Sequence, residues 1–88
     1  MASTQKLYFV VRTDLSEGAR VSQCVHAMDS WAHAHGPQLG TVIVYGVKNE
    51  AALLGVLPEG GKTAVFREPD LNNEMTAFAT DLGPFQLP

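Results

Sequence analysis

The side chains best suited to chemistry gather in two short segments. Arg12-Thr13-Asp14 closes one apolar run and leads through Leu15–Ala19 to Arg20 and Gln23, and Arg67-Glu68-Pro69-Asp70 closes another. Ligands of open α/β sheets bind beyond the carboxyl ends of the parallel strands. With these two runs as parallel neighbours, Asp14, Arg20, Gln23, Glu68 and Asp70 would share one polar rim. Carboxylates placed there hold a water, and a guanidinium binds phosphate or steadies an oxyanion. The guanidinium stays protonated and cannot serve as a base. Each residue also has a plainer use. Asp14 suits a turn cap and Asp70 an Asx-turn, while Arg12 or Arg67 can pair with a neighbouring carboxylate for solubility alone.

The remaining reactive groups point to packing or solvent. Cys24 falls among apolar residues and reads as a packed thiol. His26 and His33 lie on the polar side of a helical pattern, and His35 falls near that helix's end, where a cation is favoured by the dipole. There is no phosphate-binding glycine loop, His-Glu-x-x-His helix or Cys-x-x-Cys pair. One cysteine and three histidines are thin material for zinc. Neither a metal nor a cofactor is expected.

Four strands and two helices must position these groups. Lys6–Asp14 has apolar residues on both faces until Arg12, the pattern of an interior strand, and Thr41–Val47 reads the same way. Lys62–Glu68 and Glu74–Thr80 supply a third and a fourth strand. Between the first two lies a helix from Gly18 to His35, with Ser16 as N-cap and Gly36-Pro37 as its stop. On its wheel Trp31, Cys24, Met28, Val21, Ala32 and Val25 fill one arc of about 120°, the expected buried face. A shorter helix runs from Asn49, its N-cap, through Val56, and Pro58 and Gly60-Gly61 end it. Pro69–Asn73 has hairpin length and turn chemistry, so the last two strands are expected antiparallel. The expectation is a single compact α/β domain over residues 1–88, with a four-stranded mixed sheet in β-α-β-α-β-β order. Val10 and Val44 should lie in neighbouring buried strands.

Composition narrows the classes of function. Hydrophobic residues are 45% and charged residues 17% of the 88, the balance of a folded domain rather than a disordered tail. The longest apolar runs, Leu7–Val11 and Val42–Tyr45, fall far short of the roughly 20 residues of a membrane span. Residues 1–6 lack the apolar core of a signal peptide. A domain this small, with no internal disulfide, relies on good packing or on a second copy of itself, so a homodimer is a further expectation. Six Lys and Arg against nine acids leave a net charge of −3, so any grip on nucleic acid must come from a local patch.

The run Val10-Val11-Arg12-Thr13-Asp14-Leu15, then Gly18 and Gln23-Cys24-Val25-His26-Ala27, resembles the N-terminal half of the type II peptidyl-tRNA hydrolases. In that family the first strand ends in Val-Val-Arg-x-Asp-Leu and the long helix carries Gln-x-x-His-Ala. The resemblance continues at Val65-Phe66-Arg67-Glu68, where the family has an apolar pair and Arg-Asp. It reaches Met75-Thr76-Ala77-Phe78-Ala79 with Gly83-Pro84 behind, where the family has Val-Thr-Ala-Leu-Ala and Gly-Pro. Order and spacing hold over most of residues 6–84.

The resemblance implies cleavage of the ester between a peptide and the 3′ ribose of tRNA, without a required metal. It also implies peptidyl-tRNA as partner and a cytoplasmic place in translation. Asp14 and Glu68 or Asp70 would organise the water, and Arg20 would bind phosphate or stabilise the oxyanion. Arg12, Gln23, His26, Arg67 and Thr76 would bind substrate. The family's lysine at the start of the long helix falls on Ala19, with Arg20 one residue along. Its aspartate falls on Glu68, and the turn that carries its threonine is Pro69–Asn73 in this chain. The alternative is a binding module of the same fold that recognises RNA, a peptide or a protein.

Overall fold

A run rich in β-branched and aromatic residues makes Lys6–Arg12 the first strand, β1, and every residue of it after Lys6 is buried. Ser16 then opens helix α1, Glu17–His35. Its side chain accepts a hydrogen bond from the Ala19 N–H at 3.2 Å, and Gly36, at φ 87°, closes the helix with its N–H on Ala32 O. Strand β2 is Thr41–Val47, and Asn49 caps the short helix α2, Glu50–Gly55. Strand β3, Thr63–Glu68, passes through a 3-10 turn, Pro69–Leu71, into β4, Glu74–Thr80. This computed structural model describes residues 6–36, 40–83 and 85, so Pro37 and Pro84 lie outside the described residues. The chain forms one small α/β domain in the expected order. No helix among the described residues is long and apolar enough to cross a membrane.

The sheet order is β2-β1-β4-β3, with β1 parallel to β2 and β4 antiparallel to both its neighbours. The expected side-by-side placement of the first and third strands is therefore corrected: β4 lies between them. Because β4 reverses direction against each, β1 and β3 still run the same way. Their carboxyl ends open on one rim, together with the start of β4.

Two cores flank the sheet. On the α1 side Leu7, Phe9 and Val11 meet Ala27, Trp31, Ala64, Ala77 and Ala79. On the α2 side Val10, Val47, Leu53, Met75 and Phe78 pack together, and Tyr45 and Phe85 close over them. The buried face of α1 runs through Gln23, Ala27 and Trp31; of the apolar arc Trp31 is buried and Cys24 half-buried, while Val21 is 66% and Val25 60% exposed. The cause is where the helix lies. It packs on β3, β4 and β1 and leaves β2 largely uncovered. A groove of about 620 Å³ opens there between Val21, Val25 and Met28 of α1 and Val42 and Val44 of β2. So β2 is an edge strand, and Val44, expected in the core, is 56% exposed.

Candidate functional site

A single extra residue in β4 builds one half of the rim. Phe66 pairs with Ala77, but Arg67 pairs with Met75, so Thr76 has no partner of its own on β3. This is a β-bulge, and it re-aims a side chain. Ala77 belongs to the α1-side core, and Met75, two residues away, belongs to the α2-side core. Strict alternation would put them on one face. Thr76 is left on the α1 side, fully buried, with its hydroxyl directed at the helix.

That hydroxyl donates to Gln23 Oε1 at 2.7 Å, and Gln23 Nε2 donates to Glu68 Oε1 at 3.0 Å. The other carboxylate oxygen of Glu68 accepts the Asp70 N–H at 3.3 Å. Residues 45 and 53 positions apart in sequence are thus joined in one chain of bonds. The Thr76 donor and the Glu68 acceptor hold the amide in one orientation. The hydrogen bond from Gln23, aided by the Asp70 N–H, holds the Glu68 carboxyl below its ordinary value. The turn that follows supports this geometry. Asn72 and Asn73 both take the left-handed conformation that asparagine tolerates, and the Asn73 N–H closes on Glu68 O at 3.0 Å.

The other half of the rim centres on Arg12, which alternates with Val11 and so leaves β1 toward the α2 side. Its guanidinium grips Asp14 with two parallel bonds, Nε to Oδ1 at 3.0 Å and Nη2 to Oδ2 at 2.9 Å. Nη1 reaches Glu74 Oε1 at 2.8 Å and Met75 O at 3.3 Å. Arg12 is only 8% exposed, and these bonds spend its donors on tying the end of β1 to the start of β4. The same bonds hold the Asp14 carboxyl below its usual range and keep Arg12 firmly protonated.

The remaining candidates occupy separate places. Arg20, the only Lys or Arg on α1, lines the groove beside β2 with Thr13 and Glu17, and its Nε is buried with no hydrogen-bond partner. Arg67 alternates with Phe66 and leaves β3 on the face away from α1. Its Nη1 pins the turn through Asn73 O at 3.3 Å. Asp70 is exposed and meets the cluster through its backbone. His26 is exposed too, yet its ring stacks on Phe66. Burial raises the Cys24 thiol above its ordinary value, which suits a packed group.

The rim therefore gathers Gln23, Glu68, Thr76 and the Asp70 backbone into one group, and Arg12 with Asp14 into a second. Arg20 stands on the far flank of α1 from Glu68. Three participants are not among the site residues expected from sequence: Phe66, Glu74 and Glu50, whose Oε2 accepts the Met75 N–H at 2.8 Å. In the sequence Phe66 is part of an apolar strand, Glu74 opens the fourth strand and Glu50 follows the Asn49 cap. Among the described residues, no group of three or more His, Cys, Asp or Glu side chains could hold a metal ion. Compared with known proteins, the chain matches no family model and no curated protein sequence.

Proposed function

We propose that this chain hydrolyses the ester between a peptide and the 3′ ribose of tRNA, slowly, in the manner of the type II peptidyl-tRNA hydrolases it resembles. The observation that carries this is the bonded chain Thr76–Gln23–Glu68, drawn from three elements and open at the rim. Glu68, held ionised, orients a water toward the ester carbonyl. The water oxygen bonds to the carbonyl carbon, and the bond from that carbon to the 3′ oxygen breaks. One proton of the water ends on the 3′ oxygen, and the new acid releases the other. The second Nε2–H of Gln23 faces the developing oxyanion, while Arg20, on the opposite flank of α1, has no part in it.

Slowness follows from two features. A carboxyl held below its ordinary value is a weak base, so Glu68 positions water better than it takes its proton. Ala19 stands one turn before Gln23 on the flank of α1 that faces Glu68, so a methyl group occupies the place that suits a cation. The same methyl group favours a second function, binding of an RNA end without cleavage. Purified protein incubated with peptidyl-tRNA should release free tRNA, and Glu68→Gln should abolish most of that release. Binding of tRNA with salt-dependent affinity but no release would select the binding module, and absence of both would overturn the two together.

A further inference from the structure

We propose that His26, stacked on Phe66, is a platform for the nucleobase at the 3′ end of a bound RNA strand. The inference rests on the function proposed above and adds the mode by which the nucleic acid is recognised. The two ring centroids are 4.5 Å apart and the planes are within 18° of parallel. Phe66 covers one face of the imidazole, yet His26 is exposed, so the open surface is its other face and edge. An exposed aromatic ring already seated on a second ring is the element on which unpaired bases stack.

Its position fits one nucleoside. His26 follows Gln23 by three residues on α1, and Phe66 precedes Glu68 by two on β3, so the platform lies about 5–7 Å along the cleft from the Gln23–Glu68 bond. A base held on His26 would place its own ribose, and the ester that ribose carries, beside Glu68. Stacking also suits the charge of this molecule. With a net charge of −3 and the buried Arg12 already bonded to Asp14 and Glu74, attraction for phosphate is weak. A π-face recognises a base without needing that attraction.

The test is an NMR titration of the full chain with three probes: adenosine 5′-monophosphate, the ribotrinucleotide CCA, and ribose 5-phosphate, which has no base. The His26 ring protons should move upfield with the first two and stay still with the third. His26→Ala should weaken trinucleotide binding about fivefold or more, and His26→Tyr should restore it. Unmoved His26 signals, equal shifts with ribose 5-phosphate, or unchanged binding by His26→Ala would each overturn the platform. Trinucleotide binding through His26 without turnover of peptidyl-tRNA would leave the platform standing and overturn hydrolysis. Turnover whose KM is indifferent to His26→Ala would do the reverse.

Discussion

Replacing Thr76 by valine keeps the shape of the side chain and deletes the hydroxyl that orients Gln23. Thr76 is fully buried and Gln23 is 6% exposed, so water cannot fill in for the lost donor. Gln23 Oε1 is then an unsatisfied acceptor, which costs about 1–3 kcal/mol. For a domain of this size a loss near 2 kcal/mol lowers Tm by about 8–16 °C. Gln23→Met strands the Thr76 hydroxyl in the same way and should cost a similar amount. The double variant Gln23→Met with Thr76→Val removes both ends of the bond. Its cost should fall short of the summed single costs by about 1 kcal/mol. Equilibrium unfolding in urea measures all three, since a domain this short is expected to unfold in one transition. A Thr76→Val variant as stable as the parent, or single costs that add to within about 0.5 kcal/mol, would refute the coupling.

Trp31→Ala should cost about 3–5 kcal/mol, whereas Val25→Ala, on the uncovered flank of the same helix, should stay within about 0.5 kcal/mol; urea midpoints compare them. Ala19→Lys should raise peptidyl-tRNA turnover about tenfold or more by setting an ammonium beside Glu68 and the oxyanion, and single-turnover assays would show no gain if that flank is not the reacting one. The carboxyls of Asp14 and Glu68 are held below their ordinary values by Arg12 and Gln23, so the folded chain gives up these protons more readily than the unfolded chain. The stability this adds is fully present above about pH 5 and is lost as pH falls through the lower folded values. Asp14 is more than a third exposed, so its share is under about 1 kcal/mol. Asp14→Asn should flatten the acid side of a plot of Tm against pH, and an unchanged slope would contradict that assignment.

The strands and helix ends were legible because their signals are local. Thr41–Val47 and Glu74–Thr80 are strands to the residue, and Ser16 and Asn49 both cap the helices they precede. What failed was anything set by the partner of a face. The apolar arc of α1 and the buried stripe through Gln23, Ala27 and Trp31 differ by about 100° around the helix axis. Val21, Val25 and Met28 dominate any hydrophobicity count, but β2, the strand they overhang, carries no covering element. Gln23 is buried for a reason that hydropathy hides, since both ends of its amide are bonded. Strand order was equally invisible in a run of valines, so β2 looked interior although it is an edge. At the site, Glu68 and Gln23 stood out by residue type and strand-end position. Arg12 and Asp14 stood out too, with a carboxylate partner for Arg12 foreseen, but Glu74 did not, because the reach from β1 to β4 spans 62 residues.

The bulge at Thr76 means that length and identity are not interchangeable in this strand. A substitution at 76 changes one bond, whereas a deletion there would make Met75 and Ala77 successive residues, on the opposite faces they already occupy, and turn β4 into a regular strand. Met75 would keep its place in the α2-side core and Arg12 its partner, but the α1 side would lose the hydroxyl that orients Gln23. The extra residue is what lets two successive side chains, Thr76 and Ala77, both face α1. Grafting the rim onto another sheet, or shortening β4 to simplify the domain, must therefore carry the irregular step along with the side chains it presents. Insertions are safer in the segment after α2, Pro58–Gly61, where the backbone is not part of the sheet.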